Sequence, residues 1–126
     1  KYLWVKRNLC LYFWTGFYLV HNNELIVGPY QGTLGCLHIP FGKGVCGTVA
    51  KTKKTFIVPD VNKFPGHIFC DPRSQSEIVI PVFDNKKNLI AVFDVDSIEK
   101  ESFDSIDKKY LEEILYEHFA MKELVR

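Results

Sequence analysis

No stretch of this sequence stays apolar for the roughly 18–20 residues that a membrane helix needs. The most apolar segment, residues 9–20, is too short to span a bilayer and reads as a buried strand. The chain also lacks an excess of charge. Its 16 basic and 15 acidic side chains leave a net charge of +1. Nucleic-acid affinity rests on clustered, unbalanced Lys and Arg, so no nucleic-acid partner is expected. The densest basic run, Lys51 to Lys54, is broken by Thr52 and reads as a solvated surface. No charged stub, apolar core and small-residue cleavage site open the sequence, so no secretory signal is read. The expected compartment is the reducing cytoplasm, with no membrane partner. There, four cysteines are expected to be free, catalytic or metal-bound rather than permanently bridged. None of them forms a C-x-x-C pair, which removes the thioredoxin and zinc-ribbon signatures. Internal repeats and low-complexity segments are absent too.

What is present suits one globular domain over residues 1–126. Apolar residues make up 47% and charged residues 25%, the balance of a protein that buries an ordinary core. Residues 11–20 (LYFWTGFYLV) are rich in aromatics and predict a strand. Side chains alternate along a strand, so Trp14, Gly16 and Tyr18 share a face. Gly16 then leaves a slot between two rings. His21-Asn22-Asn23 predicts a hairpin turn into a second strand at 24–28, which Pro29-Tyr30-Gln31-Gly32 ends. A third strand is expected at 34–39 and a helix at 45–53, after the turn Pro40-Phe41-Gly42-Lys43-Gly44. Further strands are expected at 56–58, 78–83 and 89–95. Between Val61 and Ser76 periodicity disappears for about 16 residues, a length that points to a functional loop. The last element is a helix capped near Asp104 and carrying the stripe Leu111, Ile114, Leu115, His118 and Phe119. The sum is an α+β fold with a mostly antiparallel central sheet of about six strands and flanking helices.

Several residues in this frame bear chemistry. Cys10 lies in an apolar run and reads as an inert buried thiol. Cys46 falls in the first turn of the expected helix, where the dipole favours a thiolate. Its other reading is a small residue that packs where a larger one does not fit. Cys70 lies in the long loop, near His67 and Arg73. A cation such as Arg73 lowers a thiol pKa, and a histidine orients or activates the sulfur. Asp94 and Asp96 share one strand face, and Glu77 opens the strand that follows the loop. Three acids on neighbouring strand ends can grip an ammonium group or supply a proton. Each acid alone has a turn or capping role as its alternative.

These residues stand in a recognisable order. Gly28-Pro29-Tyr30-Gln31-Gly32, Cys36, and Ile39-Pro40-Phe41-Gly42-Lys43-Gly44-Val45-Cys46-Gly47-Thr48 come first. Val58-Pro59-Asp60-Val61, Phe64-Pro65-Gly66-His67-Ile68, Cys70-Asp71, Ser76-Glu77-Ile78-Val79-Ile80-Pro81 and Asp94-Val95-Asp96-Ser97 follow. With Trp14-Thr15-Gly16-Phe17-Tyr18 upstream, the pattern closely resembles the free methionine-(R)-sulfoxide reductases, which are GAF-domain enzymes. The resemblance covers about residues 12–120. It implies a GAF-like catalytic domain in which Cys70 is the attacking cysteine and Cys36 the resolving one. Cys46 corresponds to a third cysteine that joins the disulfide relay or acts in recycling. Glu77, Asp94 and Asp96 correspond to acids around the sulfoxide, with Glu77 or Asp96 as proton donor. Trp14 and Tyr18 correspond to its aromatic wall. The implied partners are free methionine-(R)-sulfoxide and a dithiol such as thioredoxin. No cofactor and no metal is implied, and a homodimer is the common default for such domains. Two departures are visible. Phe13 stands where the family has an asparagine, and the family's N-terminal helices are not evident before the first strand.

Three rivals remain open at the level of sequence. A GAF sensory module would bind a small ligand without chemistry. A cysteine hydrolase would pair Cys46 or Cys70 with His67, and needs an oxyanion hole that no motif singles out. A structural zinc domain would take Cys36, Cys46, Cys70 and one histidine, although no pair has the short spacing such sites prefer.

Overall fold

The structure is a computed structural model and describes residues 12–121. The readings made for Cys10 and for the first residues of the chain lie outside that range. Six strands form one antiparallel sheet: β1 Trp14–His21, β2 Glu24–Gln31, β3 His38–Pro40, β4 Phe56–Val58, β5 Ser76–Phe83 and β6 Leu89–Ser97. Their spatial order is β3-β2-β1-β6-β5-β4. Helix α1, Gly44–Thr52, lies between β3 and β4 in sequence, and helix α2, Ser105–Leu115, follows β6. The expected α+β architecture is therefore present. Among the described residues no helix is long and apolar enough to cross a membrane.

Alternation along the strands gives the sheet two buried faces, each with its own helix. On one face Trp14, Tyr18, Val79 and Val92 join Val45, Cys46, Val49 and Ala50 of α1. On the other, Ile78, Ile80, Val82, Ala91 and Val95 pack with Phe103 and with Leu111 and Leu115 of α2. The central strands β6 and β5 are buried from both sides, while the edges β3 and β4 are three residues each. Short edge strands leave little unpaired backbone for another chain to join.

Local chemistry explains most element ends. Asn22 and Asn23 take φ of 51° and 61°, and His21 pairs with Glu24. Asparagine tolerates this left-handed backbone, and the resulting two-residue turn matches the strand twist. Asp84 Oδ1 accepts from the backbone of Lys86 and Asn88, both at 2.9 Å, which closes the β5–β6 turn. Asp104 and Asp107 form a reciprocal capping box at the start of α2.

Four expectations are corrected. β2 continues through Gly28, Pro29 and Tyr30 instead of ending there. The β1–β2 register shifts between Gly16 and Tyr18, so one extra β2 residue is accommodated as a bulge. A bulge tolerates proline, and β2 meets β3 only from Glu24 to Ile26. The slot expected at Gly16 is filled: a Cβ there would approach Tyr30 Cβ and lie 2.8 Å from Tyr30 Cα. The third strand is confined to His38–Pro40, leaving residues 34–37 as loop. Finally, α2 passes into a single π-type turn, Tyr116–Ala120. That wider turn breaks the 3.6-residue stripe, so His118 is exposed.

Candidate active site

Strand register assembles the polar floor of the site. Trp14 on β1 pairs with Asp96 on β6, which pairs with Glu77 on β5. One step along the same face, Gly16 pairs with Asp94, which pairs with Val79. Three acids thus converge although they come from two strands. They are deeply buried, with Glu77 3%, Asp94 6% and Asp96 9% exposed. Among the described residues no lysine or arginine forms an ion pair with them. Burial raises the Asp94 and Asp96 carboxyls well above the usual range, and repulsion from the neighbouring acids adds to it. For these two aspartates the site favours the neutral, protonated form.

The aromatic wall stands beside it. Trp14 is stacked between Tyr18, with ring centres 5.7 Å apart, and Tyr30, 5.2 Å away. Trp14 Nε1 donates to the Thr33 carbonyl at 2.9 Å, and the Tyr18 hydroxyl donates to the Cys36 carbonyl at 3.2 Å. The wall therefore also holds the loop that carries Cys36. Tyr30 was read as part of a strand break and of the family motif, without a role of its own; its stack on Trp14 follows from the continued strand.

Cys36 and Cys70 are joined in a disulfide across 34 residues of sequence, with Cα atoms 5.0 Å apart. A second link runs beside it. The Thr33 hydroxyl donates to Asp71 Oδ2 at 2.7 Å. Asp71 also accepts from Arg73 through its backbone at 2.9 Å and its guanidinium at 2.9 and 3.1 Å. These donors, Arg73 first, hold the Asp71 carboxyl well below the usual range. The loop 61–76 closes over α1, where Ile68 lies against Gly44. Gly44 has φ of 62°, and a Cβ on it would come 3.1 Å from Ile68 Cγ1.

Three sequence readings of single residues change. Arg73 was expected to lower the Cys70 pKa, but its guanidinium is committed to Asp71 and lies 4.9 Å from the Phe13 ring centre. Cys46 is a free, buried thiol, and burial with three nearby acids raises its pKa well above normal. The helix-start position therefore does not yield a thiolate. His67 was expected to serve a thiol, but its Nδ1 faces Glu77 Oε1 at 3.6 Å. Desolvation lowers the His67 pKa, and Glu77 partly opposes that shift. The zinc set of Cys36, Cys46, Cys70 and a histidine is overturned, because two of its sulfurs are bonded to each other.

A cavity of about 40 Å³ lies within this group, lined by Trp14, Tyr18, Cys46, His67, Cys70, Glu77, Asp94 and Asp96 among others. It has room for a few water molecules. All the candidate residues except Cys36 line it, and Cys36 is bonded to one that does. The Thr33–Asp71 link has no sequence signature, because its members are 38 residues apart. Chemically, the arrangement offers a disulfide and a free thiol beside three buried carboxyl groups in a small cavity.

The chain matches the GAF domain family over residues 12–117. It is 52% identical over 104 residues to the free methionine-R-sulfoxide reductase of Saccharomyces cerevisiae, covering 80% of this chain and 58% of that protein. Among solved structures it is similar to fRMsr of Staphylococcus aureus in its reduced form. That pair shows 50% identity and a TM-score of 0.81, over 88% of this chain and 71% of the other. It is also similar to the free methionine-R-sulfoxide reductase of Neisseria meningitidis in complex with its substrate. Here identity is 43% and the TM-score 0.82, over 88% of this chain and 66% of the other. The chain spans about three-fifths of the length of the curated relatives it matches. The chain belongs to the GAF-domain family, and its relatives there include the free methionine-R-sulfoxide reductases.

Proposed function

We propose that this protein reduces free L-methionine-(R)-sulfoxide to methionine with its own thiols. The observation that carries the reading is the Cys36–Cys70 bond beside a cavity walled by Trp14 and Tyr18 and floored by three acids. In the reduced protein Cys70 attacks the sulfoxide sulfur as a thiolate. The substrate's S–O bond breaks, its oxygen passes to Cys70 as a sulfenic acid, and methionine leaves. That oxygen needs a proton. Burial and the neighbouring acids favour the protonated forms of Asp94 and Asp96, so one of them, or Glu77 beside Asp96, supplies it. Cys36 then condenses with the sulfenic acid, releasing water and forming the disulfide. An external dithiol such as thioredoxin resets the pair, in keeping with a reducing compartment.

The same floor accounts for selectivity toward the free amino acid. A carboxylate there pairs with the substrate's ammonium, which a peptide-bound methionine lacks. The cavity in the disulfide form holds only a few waters, so substrate entry requires loop 61–76 to swing away once the bridge is reduced. The decisive experiment is a thioredoxin-coupled assay of the R and S epimers of free methionine sulfoxide and of a peptide-bound sulfoxide. Turnover is expected for the free R epimer alone, and Cys70→Ser is expected to abolish it. Unchanged turnover in Cys70→Ser would overturn the mechanism. Binding that survives loss of every cysteine, with no turnover, would favour a sensory module instead.

A further inference from the structure

Cys46 has no step in the reaction above, yet it sits inside the site. Its Sγ, a carboxylate oxygen of Glu77 and a carboxylate oxygen of Asp94 all lie within 4.8 Å of one another, and all three side chains are buried. One observation points to a missing electropositive group. Asp94 Oδ1 is buried without a hydrogen-bond partner, on a residue 6% exposed. Another acid reaches it as a donor only by keeping a proton. His67 Nδ1 is buried without a hydrogen bond, 3.6 Å from Glu77 Oε1 on a side chain 8% exposed. A substrate ammonium would answer the carboxylates but leaves the sulfur unexplained.

We propose that the protein binds one zinc-like, thiophilic divalent cation through Cys46 Sγ and the carboxylates of Glu77 and Asp94. Zinc takes sulfur at about 2.3 Å and carboxylate oxygen at about 2.0 Å in a tetrahedron. Its donors then lie roughly 3.3–3.5 Å apart, so the group must contract by at most about 1.5 Å. One sulfur with only two carboxylates is a poor set for calcium or magnesium, which need more oxygens. The cavity, with room for a few waters, admits an ion and a water as fourth ligand while the Cys36–Cys70 bridge stays closed. Binding displaces the Cys46 thiol proton, and the proton held by Asp94, to solvent. If the proposed reaction is correct, the cation occupies the place of the substrate's ammonium and the two exclude each other.

The test uses the full chain carrying Cys10→Ser, oxidised so that Cys36 and Cys70 are bridged. Cys46 is then the remaining free thiol of the four cysteines. Titration with cobalt(II) is expected to give one equivalent of binding. A thiolate-to-cobalt charge-transfer band, four-coordinate d–d intensities and proton release should accompany it. The band is expected to vanish in Cys46→Ser. Affinity is expected to fall at least about tenfold in Asp94→Asn and in Glu77→Gln. If Cys46→Ser does not fold by circular dichroism, the two carboxamide variants carry the decision. A missing band in the bridged Cys10→Ser protein, or binding unchanged in the variants, overturns the site. The two readings fail separately. Protein that gives the band but reduces no sulfoxide keeps this site and loses the reductase. Protein that turns over without the band does the reverse.

Discussion

At Cys46 two effects oppose each other. A place in the first turn of a helix favours a thiolate by about 0.3–1 kcal/mol, and up to ~2 kcal/mol when partly buried. Burying an anion without a cation disfavours it by several kcal/mol. Burial wins, and the thiol keeps its proton. In the proposed reaction attack therefore falls to Cys70, and resolution to the sulfur it is bonded to. Cys36→Ser is expected to give one burst of methionine per enzyme and a Cys70 sulfenic acid, seen as one added oxygen by intact mass. Continued turnover at the wild-type rate would shift the resolving role to Cys46. The acids make a pH prediction. Asp94 and Asp96 hold protons in the folded state that the unfolded chain surrenders above about pH 4. Their contribution to stability is complete below that pH and is lost as pH rises through the folded-state values. Asp94→Asn removes the ionisation. Little change is expected at pH 4, and a higher Tm at pH 8. Thermal melts at both pH values check it, and a larger gain at pH 4 contradicts it.

At the level of elements, β1 and β2 show how the wall is made. Gly16 is the one place where β1 lets the β2 backbone and Tyr30 come close, while Tyr30 stacks on Trp14. Gly16→Ala puts a methyl group against Tyr30 Cα at 2.8 Å and Trp14 at 2.9 Å. Neither the strand pairing nor the ring stack has room to yield, so a loss of about 1–3 kcal/mol is expected from overpacking. Urea unfolding measures it, and KM should rise with it because Trp14 moves; an unaltered urea midpoint would mean that β2 yields freely. The strands and helices were readable because their signals are local: alternation, Asn-Asn at the hairpin, Asp at the cap. Where reading failed, the deciding partner was distant. Pro29 ends a strand on local grounds, and only the shifted register against Gly16 and Tyr18 shows that it sits in a bulge.

For the molecule as a whole, the disulfide is a clasp and, in the proposed reaction, also the product. It closes a loop spanning 34 residues of sequence, which on the chain-entropy account contributes about 3–4 kcal/mol. Reduction is expected to lower the urea midpoint accordingly and to speed amide exchange in residues 61–76 while α2 stays protected. Unfolding curves with and without dithiothreitol, with exchange mass spectrometry, check both. Equal protection of the loop in the two forms would contradict its role as a moving lid.

The sequence by itself determined the layered α+β frame, the two buried sheet faces and the identity of the chemical groups, because each depends on residue type and short-range period. It placed Asp94 and Asp96 on one face for the same reason. Tertiary structure alone decided which sulfurs meet, that Arg73 serves Asp71 and His67 serves Glu77, and that Cys46 lies among acids. Those outcomes depend on register between strands and on how one loop folds over a helix. Such distances are set by the packing of the whole chain, and no local pattern encodes them.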